Sequence, residues 1–219
     1  MEAIDPTLFE RAGEDRIWTP ANVVTMVRIC LVPVFVLVLL SPWPNLLGVP
    51  QVDVFKSLIA AGIFILISCT DFVDGYLARS RNEVTNFGKF MDPLADKILV
   101  MAALLALIEL GSLPSWVVLI IVTREFIVSG LRMMAAKEGV VIAASWYGKA
   151  KTVSQMVAIV LFVIKDNSLI GSLNAGMGSF LWWFSWFVML IALVLTIVSM
   201  VDYIAKSRSL IGLGPKKQA

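Results

Sequence analysis

Four aspartates in a fixed frame mark the stretch of this chain best suited to chemistry: Asp71-x2-Asp74-Gly75-x2-Ala78-Arg79, then x8-Gly88-x3-Asp92-x3-Asp96. On a helix Asp71, Asp74, Gly75 and Ala78 share one face, so two carboxylates stand beside two very small residues. Asp92 and Asp96, four apart, stack on one face of the following helix, and a loop containing Gly88 is expected to fold the two pairs together. Converging carboxylates suit hard divalent cations such as Mg²⁺, Mn²⁺ or Ca²⁺ rather than zinc. The alternative is that the acids cap helices or pair with Arg79, Arg81, Lys89 and Lys97. Acids beside a bilayer cost several kcal/mol unless paired or hydrated, and four flanked by Gly and Ala exceed what two helix ends require.

The elements that must position these acids belong to a membrane protein, because the chain is 59% hydrophobic and only 16% charged, with a mean hydropathy of +0.88. A soluble domain is about half apolar and a quarter charged. An all-α integral membrane fold of six transmembrane helices is expected, at about 22–40, 54–78, 90–108, 115–135, 147–164 and 180–204, each near the roughly 20 residues that cross hydrocarbon. No internal repeat or linker divides the chain, so residues 1–219 read as one domain: a juxtamembrane segment 1–20, the six-helix bundle 22–204 and a tail 205–219. The N-terminus lacks the basic region and cleavage site of a signal peptide and should be retained; after Asp5-Pro6, Leu8, Phe9, Ala12, Arg16 and Ile17 suit a short amphipathic helix on the membrane surface. Trp182, Trp183 and Trp186 read as an interfacial belt.

Six spans put both termini on one side. Of 18 Lys and Arg, only Lys56 and Lys165 fall on the opposite side, so the positive-inside rule makes the motif side cytoplasmic. With no His in the chain, any general base must be Asp, Glu or Lys. Cys30 and Cys69 lie in apolar stretches and read as buried, inert thiols without a disulfide. Arg124 lies well inside the fourth span and needs an anion or an acid partner; it shares an i, i+4 ridge with Val128 and Arg132. In the fifth span Gly148, Lys151, Thr152 and Gln155 fall on one face, with Lys149 alongside. A cationic cluster on the same side as the acids implies an anionic substrate. Asn22, Thr25 and Arg28 recur every three residues on the first span, where Asn22 could cap and Arg28 snorkel.

The frame D-x2-D-G-x2-A-R-x8-G-x3-D-x3-D, filled at every position here, resembles the signature of the CDP-alcohol phosphotransferases, which exchange CMP on a CDP-linked lipid for an alcohol. Eight specified residues in fixed register match by chance less often than about one time in 10⁸. The resemblance implies two divalent ions, Mg²⁺ or Mn²⁺, held by Asp71, Asp74, Asp92 and Asp96 on the pyrophosphate of CDP-diacylglycerol. It implies Asp96 as general base. It also implies a nucleotide site that includes Asp71 and Gly88, in which Gly75 and Ala78 allow close approach, Arg79 neutralises phosphate, and Asn22, Thr25 and Arg28 match the family's first-helix pattern.

The segments T-R-E-F-x2-S-G-L-R and G-K-x-K-T-x2-Q are similar to those of the family's bacterial phosphatidylglycerophosphate synthase branch. That similarity implies sn-glycerol 3-phosphate as acceptor, with Arg124, Arg132, Lys149 and Lys151 on its phosphate. A homodimer in a bacterial cytoplasmic membrane follows from the same resemblance, and no nucleic-acid partner is expected. Within the family, phosphatidylinositol phosphate and cardiolipin synthases are the alternatives. A divalent-cation transporter fits less well, since the acids cluster at one interface and no inverted repeat is evident. A catalytically silent lipid-binding protein would not need the complete motif.

Overall fold

The computed structural model describes residues 19–81, 86–137, 146–173 and 175–207, and among them every regular element is helical. In chain order these are α1 (Pro20–Leu40), α2 (Trp43–Leu46), a 3₁₀ helix (Pro50–Phe55), α3 (Lys56–Arg81), α4 (Asn86–Glu109), α5 (Ser115–Lys137), α6 (Trp146–Ile164), α7 (Ser168–Leu173) and α8 (Ala175–Lys206). Among the described residues four stretches are long and apolar enough to cross a membrane: Asn22–Leu40, Val52–Thr70, Trp146–Ile164 and Gly176–Lys206. α4 and α5 are of comparable length, 24 and 23 residues, but carry Asp92, Asp96 and Lys97 in one and Arg124, Glu125 and Arg132 in the other. Several such helices make the chain a membrane protein. The surface helix expected within 1–20 and the tail beyond residue 207 lie outside the described residues.

The chain divides into two compact units, Met1–Ala103 and Leu104–Ala219. In the first, α1 starts where Thr19, in extended conformation, accepts the Asn22 N–H on Oγ1 at 3.3 Å and Pro20 fills a first-turn position that needs no N–H. Thr19, not Asn22, is therefore the cap. Asn22, Thr25, Arg28, Val32, Phe35 and Leu39 are the buried positions of α1 and recur every three or four residues, which makes one stripe. That stripe packs on α3, where Ala60 and Ala61 allow close approach and Phe64 meets Phe35 at 5.6 Å between ring centroids. Val23, Val27, Val34 and Leu37 point outward. The helix stops at Ser41, whose N–H and hydroxyl both close on the Leu37 carbonyl before Pro42 and Pro44. Trp43 then folds back, its indole N–H donating to the Val38 carbonyl at 3.1 Å.

Two expectations change here. Cys30 and Cys69 are free thiols but exposed, because an apolar helix in lipid carries apolar residues on its outer face as well as its inner one. Gly88 is not in a loop: α4 begins at Asn86 and takes it into its first turn.

In the second unit α8 is the axis. At 32 residues it runs about 48 Å and packs against α5, α6 and α7. Its buried seam is Ser185, Met189, Ala192, Thr196, Ser199 and Tyr203, alternating four and three apart as in helices that cross at a shallow angle. The seam hydroxyls are closed on their own helix, Ser185 on the Leu181 carbonyl and Thr196 on the Ala192 carbonyl, both at 2.6 Å. The residues are thus small enough for close packing and leave no orphan donor. At one end Trp186 meets Phe162 of α6 edge-on at 5.1 Å. α4 terminates at Gly111, φ +67°, with the Ser112 and Leu113 N–H groups returning to the Leu107 carbonyl, and Pro114 precedes α5.

Candidate active site

The acid frame lies on two consecutive helices of the first unit. α3 carries Asp71, Asp74, Gly75, Ala78 and Arg79 on one unbroken helix, so the shared face expected from their spacing is realised in the backbone. α4 carries Gly88, Asp92 and Asp96 in the same way. The side chains of Asp71, Asp74, Arg79 and Asp92 lie outside the described residues, and the expected metal contacts with them. Among the described residues no group of three or more potential metal ligands gathers. Asp96 is half-buried, beside fully buried Ala95 and Leu99.

What the structure adds is the role of α1. Asn22, Thr25 and Arg28 are 2%, 1% and 1% exposed, and the Arg28 Nε–H donates to Thr70 Oγ1 at 3.4 Å. Arg28 therefore does not snorkel. It packs inward one residue before Asp71, and Thr70, which closes on the Ile67 carbonyl, anchors it there. Thr70 was not singled out by spacing, since nothing in a lone threonine on an apolar helix marks it as an arginine's partner.

In the second unit the cations separate into two kinds. Arg124 and Lys151 are buried and converge on one oxygen: the Arg124 Nη1 reaches Glu125 Oε1 at 3.0 Å and Lys151 Nζ pairs with the same atom. A second edge of Arg124 is held by α8, where Ser199 Oγ accepts from Nε at 3.1 Å. The acid partner that a deep arginine requires is thus its neighbour Glu125, and the three charges sum to +1. Arg132, at the exposed end of the ridge, donates to the Tyr203 hydroxyl at 2.6 Å, its guanidinium 5.1 Å from that ring's centroid. Lys149 is exposed. Gln155 is buried one turn beyond Lys151, while Thr152, expected on the same face, turns outward and closes on the Gly148 carbonyl. Ser199 and Tyr203 escaped sequence reasoning because they reach Arg124 and Arg132 from the α8 seam, 75 and 71 residues further along the chain.

The long apolar helices make the chain a membrane protein. The model of the CDP-alcohol phosphatidyltransferase family matches residues 18–207, and the chain belongs to that family. It is 48% identical over 141 residues, 63% of this chain and 72% of the relative, to the CDP-diacylglycerol–glycerol-3-phosphate 3-phosphatidyltransferase of Bacillus subtilis (strain 168). It is 40% identical over 207 residues, 94% of this chain and 90% of the relative, to a probable phosphatidylglycerophosphate synthase of Mycobacterium tuberculosis. With the CDP-diacylglycerol–glycerol-3-phosphate 3-phosphatidyltransferase of Salmonella paratyphi A it shares 34% identity over 193 residues, 85% of this chain and 93% of the relative.

Proposed function

We propose that this chain transfers the phosphatidyl group of CDP-diacylglycerol to the 1-hydroxyl of sn-glycerol 3-phosphate, giving phosphatidylglycerol phosphate and CMP. The reading of the acceptor is carried by one observation: Arg124 and Lys151, both buried, converge on the same oxygen of Glu125. A neutral alcohol would gain nothing from it. The relatives' names point to the same acceptor.

The hydroxyl oxygen attacks the lipid-side phosphorus, its proton passes to Asp96, and the bond to the CMP oxygen breaks. Arg124, Arg132, Lys149 and Lys151 hold the acceptor phosphate; Asn22, Thr25, Arg28, Asp71, Gly75, Ala78, Arg79 and Gly88 hold the CDP end of the lipid. An all-carboxylate donor set on two helix faces fits a hard divalent cation, so Asp71, Asp74, Asp92 and Asp96 would hold two Mg²⁺ or Mn²⁺ ions. Bound there, such ions supply charge neutralisation on the pyrophosphate. The whole chain acts as one domain with six spans and both termini in the cytoplasm of a bacterium, supported by the distribution of Lys and Arg. A homodimer rests on the family resemblance alone. The test is to supply purified protein with CDP-diacylglycerol, Mg²⁺ and radiolabelled acceptors in turn. Label should enter lipid from glycerol 3-phosphate; label entering only from inositol phosphate or phosphatidylglycerol would overturn the assignment.

A further inference from the structure

Lys151 and Gln155 stand one turn apart on the inner face of α6, both withdrawn from solvent. Glu125 engages Lys151, whereas neither Oε1 nor Nε2 of Gln155, a residue 2% exposed, meets a hydrogen-bond partner among the described residues. Leaving both ends of a buried amide unpaired is destabilising, and methionine would fill nearly the same space without that penalty. On the neighbouring helix the buried hydroxyls of Ser185, Thr196 and Ser199 are all closed on backbone carbonyls. A long helical side chain lies back over the turn N-terminal to it, which for Gln155 is the turn that bears Lys151. That preference favours the direction of Lys151 over the apolar half of α6 for its unpaired donor and acceptor.

We propose that Gln155 recognises a hydroxyl of the phosphorylated alcohol whose phosphate rests on Arg124 and Lys151. This rests on the acceptor reading above and extends it from charge to shape. A hydroxyl donates and accepts at once, so a polyol phosphate can satisfy both ends of the amide, and a simple alkyl phosphate cannot. The bound acceptor supplies the partners that the protein withholds, which makes Gln155 a specificity-determining residue.

The experiment compares sn-glycerol 3-phosphate with 3-hydroxypropyl phosphate, which keeps the attacking hydroxyl and the phosphate but lacks the middle hydroxyl. The full-length protein should prefer glycerol 3-phosphate by about ten- to a hundredfold in kcat/KM. Gln155→Met should melt no lower than the parent, retain its KM for CDP-diacylglycerol, and prefer glycerol 3-phosphate by no more than about threefold. Should that variant not fold, Gln155→Leu serves the same comparison. An undiminished preference in the variant, or no preference in the parent, overturns the role of Gln155 while leaving the acceptor reading intact. Use of neither phosphate by the parent protein overturns the acceptor reading itself.

Discussion

Arg124 is fixed from two directions, by Glu125 on its own helix and Ser199 on α8, and neither contact takes its Nη2 edge. A guanidinium pinned in this way is already oriented for a phosphate, which in a partly desolvated site is worth roughly 1.5 to 3 kcal/mol. Arg124→Ala should therefore raise KM for glycerol 3-phosphate by about ten- to a hundredfold and leave that for CDP-diacylglycerol within about threefold. Steady-state kinetics with each substrate varied will show it; a rise confined to the lipid would count against the site. Arg124→Lys should recover only part of the loss, because an ammonium cannot meet Ser199 and Glu125 while presenting a fork. Asp96→Asn should abolish turnover yet still bind the CDP lipid, since the amide keeps shape but cannot take a proton; measurable turnover would remove Asp96 as base. At this scale the sequence was informative about residue types and poor about partners. That Arg124 needs a counter-charge follows from its depth, and Glu125 is adjacent, but Ser199 could be found only from the packing of α5 on α8.

Helix ends were legible wherever Gly and Pro set them. The break expected at Gly111-Ser112-Leu113-Pro114 is where α4 stops and α5 starts, because Gly111 takes φ +67° and Pro114 cannot extend the preceding helix. No atom would crowd a side chain at Gly111, so the backbone conformation alone is at issue. Gly111→Ala should cost about 1 to 2 kcal/mol, read as a lower melting temperature with KM values unchanged. An unaltered melting temperature would mean that this turn does not constrain the helices it joins. Less legible was the start of α4, where a glycine amid polar residues suggested a loop and the helix continued through it. The three short elements, α2, the 3₁₀ helix and α7, were missed altogether, since pieces of four to six residues carry too little periodicity to register.

For the whole molecule, composition identified the solvent of the fold but misled about burial, as the exposed thiols of Cys30 and Cys69 demonstrate. Lys and Arg distribution carries more. Lys165, one of the two cations expected on the minority side, has Asp166 at 2.5 Å and lies 5.3 Å from the Phe162 ring centroid. The open choice lies between four crossings and six, since four helical stretches meet the length and hydropathy of a span while α4 and α5 are more heavily charged. Charge alone does not disqualify α5: Arg124 and Glu125 neutralise each other inside it and Val128 and Leu131 are buried beside them. Both counts are even, so the position of the C-terminus cannot separate them. The turn between α4 and α5 can, because it lies across the membrane only if both helices cross. Alkaline phosphatase, which needs an oxidising compartment for its disulfides, should be active when fused at Gly48, at Gly111 and within Ser168–Leu173, and inactive after Lys206. An active enzyme at Gly48 with an inactive one at Gly111 would reduce the fold to four crossings, with α4 and α5 held on the cytoplasmic side.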